Sequence, residues 1–385
     1  MRRRLSGFSF RLSRGKSILC LAAFLALGLG IQACAGPSET RVPDQPWHHV
    51  EGGFRNPPGS PPRTAGVFSD FVPFMIRRTV QSYRTVKTPE DHVYGEQAAL
   101  AGLKARNPGE TITWLGHASF LVRMGGKTIL TDPFLTERAS PVDWFGPKRM
   151  VPPAISIPNL PPIDAIIVSH SHYDHLDAET VETLPNKDRI DVFAPLGLGD
   201  FFRARGYTRV HDLDWYDAED LGDVSVISVP AVHFSRRGLF DFNKALWGGY
   251  VLESEGRRLY FAGDTGHGEV FKEIGELFAP IHTALIPIGA YEPRSIMKPS
   301  HVTPEEAVLL AEDIGAETLV GMHWGTIVLT DEPQFEAPGR FRKAAAAAGF
   351  EDEQVWILKI GETRSIAGLA AKGGSIEPAS LAHLE

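Results

Sequence analysis

The chain has 385 residues, enough for one large domain or two smaller ones, and 43% of them are apolar, which supports a sizeable core. Its two cysteines, Cys20 and Cys34, both precede the globular part, which excludes a disulfide framework and a cysteine-rich zinc site. The net charge of −8 becomes about −14 once residues 1–34 are set aside, since they hold 6 of the 39 basic residues and none of the 47 acids; such a surface argues against nonspecific nucleic-acid binding and charge-driven docking on anionic lipid.

Residues 1–34 read as a targeting segment. Arg2, Arg3, Arg4, Arg11, Arg14 and Lys16 precede an apolar run at 18–31 that is short for a membrane span and shaped like a signal-peptide core. It ends Ile31-Gln32-Ala33-Cys34, which resembles a bacterial lipobox. The expectation is export to the cell envelope, with a lipid on Cys34 anchoring the chain to a membrane and the protein facing the periplasm. Cleavage near Ala33 or Ala35 and an uncleaved anchor are the other two readings. Residues 35–100 read as a linker and N-terminal extension. Its Pro, Gly and Ser content marks a linker, and Trp47 and Phe54 suggest that it wraps the core. Within it, residues 67–78 collect Phe68, Phe71, Phe74, Met75 and Ile76 ahead of Arg77 and Arg78. They either pack on the core or form an apolar patch for lipid, and Pro73 interrupts a single regular helix. Residues 101–370 form the main domain and 371–385 a tail.

Strands are expected at 111–115, 120–124 and 127–131, the last two joined by Gly125-Gly126 as a two-residue hairpin turn. Residues 163–168 form a continuous apolar run, the pattern of a strand covered on both faces, and 178–184 has helical composition. Further strands are expected at 224–230, 248–254, 257–262, 284–287 and 318–322, with a final helix at 335–348. Thr303 followed by Pro304, Glu305 and Glu306 is a helix start.

A polar burst follows the strand at 163–168: His170, His172, Asp174 and His175, interleaved with Ser171 and Tyr173. Four imidazole or carboxylate ligands in six positions on a strand-to-helix loop suit a metal, zinc first, with Mn2+ or Fe2+ as alternatives. His233, Asp264 and His323 each follow another apolar strand. A fold that gathers strand ends on one edge would bring all seven together.

His-x-His-x-Asp-His, a lone histidine, Gly263-Asp264-Thr265-Gly266 and a further lone histidine resemble the metallo-β-lactamase superfamily. Trp114-Leu115-Gly116-His117, Thr131-Asp132-Pro133, Gly146-Pro147-Lys148-Arg149, Gly289-Ala290-Tyr291-Glu292-Pro293-Arg294 and His323-Trp324-Gly325-Thr326 more particularly resemble the phospholipase D family that hydrolyses N-acylphosphatidylethanolamine. The resemblance runs from about Phe54 to Thr363, with no clear match at 67–87.

The resemblance implies an α/β fold, an αββα sandwich with a dinuclear site on one edge, and makes 101–370 a metallo-hydrolase domain. It implies two Zn2+ per chain. His170, His172 and His233 would hold one; Asp174, His175 and His323 the other; Asp264 would bridge. Asp174, Asp264 and His301 become the catalytic candidates, and a bridging hydroxide would attack phosphorus. Tyr173, His301 and Arg294 become substrate candidates; Arg236 and Arg237 could also reach phosphate, although solvated roles serve as well. Asp132 and His117 are expected to support ligands from behind, with Asp177 and His267 as neighbours. The implied partners are a phospholipid substrate, a membrane surface reached through the N-terminal segment, and a second copy of the chain in a homodimer, with no nucleic acid. Two other functions share these ligands: hydrolysis of another ester, such as a sugar-phosphate lactone, and noncatalytic metal binding in the envelope.

Overall fold

Apolar β-branched runs and two-residue turns lay down most of the strands. In the computed structural model, which describes residues 40–63, 66–81 and 85–366, a short hairpin comes first: β1 (His49–Val50) and β2 (Gly53–Phe54). The targeting segment with Cys20 and Cys34, and the tail 371–385, lie outside the described residues.

Six strands follow in order: β3 (Thr111–Gly116), β4 (Ser119–Met124), β5 (Lys127–Thr131), β6 (Ala165–Ile167), β7 (Asp191–Pro195) and β8 (Arg209–Leu213). Seven more are β9 (Ala218–Leu221), β10 (Val224–Val229), β11 (Gly249–Ser254), β12 (Arg257–Phe261), β13 (Thr283–Pro287), β14 (Leu319–Met322) and β15 (Val355–Trp356), and β16 (Thr363–Ser365) is the last among the described residues. One sheet has the order β16-β3-β4-β5-β6-β7-β8, the other β15-β14-β13-β12-β11-β10-β9. The sheets face each other across one continuous apolar core, and the Tyr250 hydroxyl on β11 crosses it to donate to Val168 O at 2.9 Å.

Among the described residues the helices are α1 (Val72–Gln81), α2 (Glu96–Ala105), α3 (Ala178–Thr183), α4 (Gly199–Arg203), α5 (Val270–Phe278), α6 (Arg294–Met297), α7 (Pro304–Asp313) and α8 (Ala337–Ala347). Helix α4 packs on β7 and β8, and α7 on β13, so each sheet carries helices on its outer face. This is the expected αββα sandwich. Thr303 caps α7 through a reciprocal capping box with Glu306.

Strand direction explains where the site lies. Strands β5 and β6 run parallel, and β3 shares their direction because two antiparallel pairings separate it from β5. In the second sheet β12, β13 and β14 are parallel, and β10 shares their direction by the same count. The carboxyl ends of β3, β5, β6, β10, β12 and β14 lead into His117, Asp132, His170, His233, Asp264 and His323, respectively.

One expectation needs correction. A boundary at 100/101 would cut α2, which starts at Glu96 and buries Ala99 and Leu103. Residues 67–81 are helical throughout, a π-type turn at Val67–Phe71 running into α1. The change from π to α geometry falls beside Pro73, in the first turn of α1, so no single regular helix runs through the segment, as expected. Among the described residues no helix is long and apolar enough to cross a membrane.

Candidate metal centre

Two groups of ligand atoms face one another at the strand ends. His170, His172, His233 and Asp264 make one; Asp174, His175 and His323, joined by His117, make the other. Asp264 stands between them. Its Oδ2 lies 3.0 Å from His175 Nε2 and 3.9 Å from the Nε2 atoms of His170 and His233, while its Oδ1 lies 3.1 Å from His323 Nε2. That is the placement a bridging carboxylate requires. All seven expected ligands thus come together, from four separate stretches of the sandwich edge.

Behind the ligands the rings are locked. His175 Nδ1 donates to Asp132 Oδ2 at 2.5 Å, and the Ser169 amide and hydroxyl donate to the same carboxylate at 2.7 and 2.6 Å. His170 Nδ1 meets the Ser169 hydroxyl at 2.9 Å, and His233 Nδ1 donates to Ser300 O at 2.8 Å. Each bond engages the rear nitrogen and leaves Nε2 facing the centre, the tautomer a metal ligand needs. The expected supporting role of Asp132 is therefore a direct bond to a ligand.

The backbone is bent to suit. His117, Asp132 and His323 adopt left-handed φ values of 57°, 31° and 64°, a conformation that costs energy in non-glycine residues and collects at functional sites. Gly263, at φ 60°, could carry no side chain, since a Cβ there would lie 2.4 Å from Ser169 Cβ.

The electrostatics call for cations. Burial raises a carboxyl and lowers an imidazole. Burial does push the Asp264 carboxyl upward, but the His175 and His323 charges outweigh it and hold the group well below its usual range. Burial likewise lowers His175 and His323, yet Asp264 and Asp174 drive both upward, His323 to about 9. Without metal the site therefore borrows protons to balance its carboxylates. His175 Nε2, His323 Nε2 and Asp264 Oδ1 are enclosed without hydrogen-bond partners among the described residues. Bound cations would satisfy these atoms and displace the protons, so the residues fit the implied metals.

The remaining candidates divide. His301 stands at the rim, 5.2 Å from the His233 ring and 5.7 Å from the His323 ring, with an enclosed, unpartnered Nδ1. His117 approaches closer than a supporting role requires: its Nε2 lies 2.9 Å from Asp174 Oδ2 and its ring 3.8 Å from that of His323. Tyr173 donates to Arg237 O at 2.9 Å under the Arg237 guanidinium, which itself donates to the Ser171 and Leu176 carbonyls. Both brace the metal loop. Arg294 is corrected from substrate contact to positioning, because its guanidinium is taken up by Glu306 at 2.7 Å and by His301 O at 2.8 Å. Asp177 caps α3, and His267 pairs with Asp313, so both are neighbours as expected.

Two further residues bear on the site without having been among its candidates. Asn56 grips the backbone of His233 from both sides: its amide donates to His233 O at 2.8 Å and accepts from His233 N at 2.9 Å. Arg78, on α1, feels the Asp174 carboxylate and has an enclosed Nε with no hydrogen-bond partner. Nothing local marks Asn56, whereas the apolar-basic junction at 76–78 did draw attention to Arg78.

The fold and the edge-mounted histidine–aspartate centre define a metallo-β-lactamase-type protein, and the comparisons with known proteins agree. A model of the β-lactamase superfamily domain matches residues 127–324, and the chain belongs to that family. It is 43% identical over 225 residues to N-acyl-phosphatidylethanolamine-hydrolyzing phospholipase D 1 of Caenorhabditis elegans, an alignment covering 56% of this chain and 63% of the nematode protein. The chain therefore spans less than two thirds of that relative. It is 32% identical over 262 residues to a metal-dependent hydrolase of Methanopyrus kandleri, covering 66% of this chain and 98% of the archaeal one. Among solved structures, isothiocyanate hydrolase from Delia radicum gut bacteria superposes with a TM-score of 0.54 at 21% identity, over 66% of this chain and 98% of that one, which supports the fold.

Proposed function

We propose that the protein is a metal-dependent hydrolase that cleaves the phosphodiester of N-acylphosphatidylethanolamine, releasing N-acylethanolamine and phosphatidic acid. The placement of α1 carries this reading beyond the shared ligand set. Phe74 and Arg78, four residues apart, turn inward on one face. Ile76 and Val80, with Phe68 before them, are exposed on the other side. Arg77 pins the helix to Asp331 at 2.8 Å. Burial lowers the Arg78 guanidinium from its ordinary value and the Asp174 carboxylate raises it. An enclosed guanidinium nitrogen without a hydrogen-bond acceptor among the described residues is costly until an anion arrives, and exposed apolar residues on the same helix suit acyl chains. A sugar-phosphate lactone would also offer the guanidinium an anion, but it has no acyl chains to place on the apolar residues.

Two Zn2+ ions, held by His170, His172 and His233 and by Asp174, His175 and His323 with Asp264 between, would neutralise the phosphodiester and make water acidic enough to react near neutral pH. The protein's own groups do the rest. Asp132, Ser169 and the Ser300 carbonyl hold the ligand rings in one tautomer. Arg78 binds a phosphate oxygen. Burial keeps His301 down to about 4, so at neutral pH its imidazole is uncharged and orients the phosphate by a hydrogen bond rather than delivering a proton as an imidazolium. In the balanced reaction water's oxygen joins phosphorus, the bond from phosphorus to the ethanolamine oxygen breaks, and a proton ends on that oxygen. The envelope location and the lipid on Cys34 remain part of the proposal, supported by the sequence of residues 1–34, and would place the enzyme at its substrate.

The zinc-loaded protein should be assayed against N-acylphosphatidylethanolamine, unacylated phosphatidylethanolamine and a sugar-phosphate lactone, with products identified by mass. N-acylethanolamine from the first, abolished by chelator, is the expected result; turnover of the lactone alone would overturn the reading. Arg78→Met should lower kcat/KM for the phosphodiester by about 10–100-fold, the loss typical of one charged hydrogen bond, with metal content unchanged. An unaltered kcat/KM would remove Arg78 from the substrate.

A further inference from the structure

A second cluster of metal-ligand type lies outside the centre just described. On the N-terminal extension, His48 and His49 both direct Nε2 at one carboxylate, meeting Asp214 Oδ1 and Oδ2 at 2.6 and 2.7 Å. The three ligand atoms lie within 4.8 Å of one another. His48 is buried and stacks on Trp215 with ring centroids 4.2 Å apart, and His49 lies edge-on to Phe54 at 4.9 Å. The rings are therefore held in place by packing as well as by the carboxylate.

The charge balance favours a cation. Asp217 sits directly behind, its Oδ2 accepting from the Asp214 amide at 2.7 Å. Among the described residues neither carboxylate pairs with a lysine or arginine. Two carboxylates and two imidazoles, uncharged in the ligand form, leave an excess of negative charge in a half-buried position. Two imidazole nitrogens and a carboxylate oxygen form a donor set suited to zinc, which a water would complete to four. Tetrahedral zinc would set its ligand atoms roughly 3.3 Å apart, so from 2.6 and 2.7 Å the side chains need open by about 0.6–0.7 Å. His170 Nε2 and His172 Nδ1 in the main centre stand equally close, at 2.7 Å.

We propose that His48, His49 and Asp214 form a separate, structural divalent-metal site, with zinc the ion its donors favour, that locks residues 47–56 onto the core. The consequence reaches the main centre. The same strap carries Asn56, which holds both backbone polar groups of His233 and accepts from Trp247 Nε1 at 3.1 Å. A metal at the strap thus supports a ligand of the other centre without touching it. The inference does not depend on which ester the protein hydrolyses.

The test uses the full chain with zinc alone as the probe. After equilibration with buffered free zinc and removal of excess, His49→Ala should retain one zinc per chain fewer than wild type and gain less in Tm on zinc addition. Equal stoichiometry and equal gains would overturn the proposal and leave a hydrogen-bonded histidine–aspartate clamp. A reciprocal variant guards against misfolding of His49→Ala. With the main centre disabled by His170→Ala and Asp264→Asn together, the intact strap should still hold one zinc, and that zinc should be lost when Asp214→Asn is added. No zinc in the reciprocal variant would equally overturn it.

Discussion

The metal loop and the N-terminal strap both serve the same few square ångströms of ligand surface, but they are built on different principles. In the loop, six consecutive residues follow a buried parallel strand, so the chain itself delivers four ligands to one place. Their rear partners, Asp132 and Ser169, come from the neighbouring strand end and the loop itself. The strap has no such continuity. Asn56 reaches His233 from 177 residues away, and His48 reaches Asp214 from 166. Four of the seven expected ligands are neighbours in sequence, whereas the strap's holds on His233 and Asp214 are both long-range. If that division is right, damage to the loop should remove activity outright, whereas damage to the strap should loosen the site and the fold by measurable but smaller steps.

The largest effect belongs to the bridge. Asp264→Asn should lower kcat by at least on the order of 10³-fold, because an amide cannot neutralise two cations as a carboxylate does, and bound metal should fall in parallel by elemental analysis. Retention of full metal and activity would remove Asp264 from the centre. Asp132→Asn should weaken metal affinity or activity by about 10–100-fold, the usual consequence of losing a ligand's rear partner; equilibrium titration with a competing chelator measures it. Asn56→Ala should leave the ligand set intact but strip the enclosed His233 amide of its acceptor, costing on the order of 1–3 kcal/mol of stability. Denaturant unfolding reads that loss, and an effect on metal affinity as large as that of Asp132→Asn would erase the distinction between the two regions.

The lipid face needs a different variant from the one its composition first suggests. Phe74 is buried, so changing it would disturb the core, whereas Phe68, Ile76 and Val80 are exposed. Ile76→Ser with Val80→Ser should lower kcat/KM for a long-chain lipid and spare a short soluble phosphodiester, since each methylene taken from water contributes about 0.8 kcal/mol. Equal losses on both substrates would make α1 a structural element.

The smallest expected effect is the pH response of the metal-free protein. Burial holds His117 and His172 down to about 3 and His301 to about 4. Each binds a proton more readily when unfolded, at the ordinary value of 6.5, so stability falls as pH drops below that value. His323 behaves oppositely. Burial lowers it, Asp264 more than compensates, and it stands at about 9, so its contribution is complete below 6.5 and lost as pH rises through about 9. Without metal, Tm should therefore be highest near pH 6.5, falling below it and falling again from there to about 9. Added zinc should rescue the alkaline side most, because the proton it must displace from His323 is then already leaving. A Tm that zinc raises equally from pH 6 to 9 would contradict this.

Where the sequence could be read, the signal was local and periodic. The strand at Lys127–Thr131 matches its expected limits, its neighbours fall within a residue or so, and the Thr303 cap forms as its residues require. The strands at Arg209–Leu213 and Ala218–Leu221 went unread because they are edge strands with exposed, charged residues, which leave no apolar alternation to see. Helix α5 did carry a signal, with Val270, Phe271, Ile274 and Phe278 buried at helical spacing. The metal ligands were legible because chemistry restricts which residues can serve. Asn56 was not, because a side-chain amide gripping a backbone leaves no pattern around itself. Arg294 was legible as part of a motif but not in its role, which depends on Glu306 lying in reach.

The central claim is that the metal centre directs water to phosphorus on an N-acylated phospholipid. Turnover of N-acylphosphatidylethanolamine by the zinc-loaded protein in oxygen-18 water tests it most directly, with both products analysed by mass. The account predicts N-acylethanolamine without label and phosphatidic acid carrying one labelled oxygen. Label in a released fatty acid, or no N-acylethanolamine from protein with its metals bound, would contradict it.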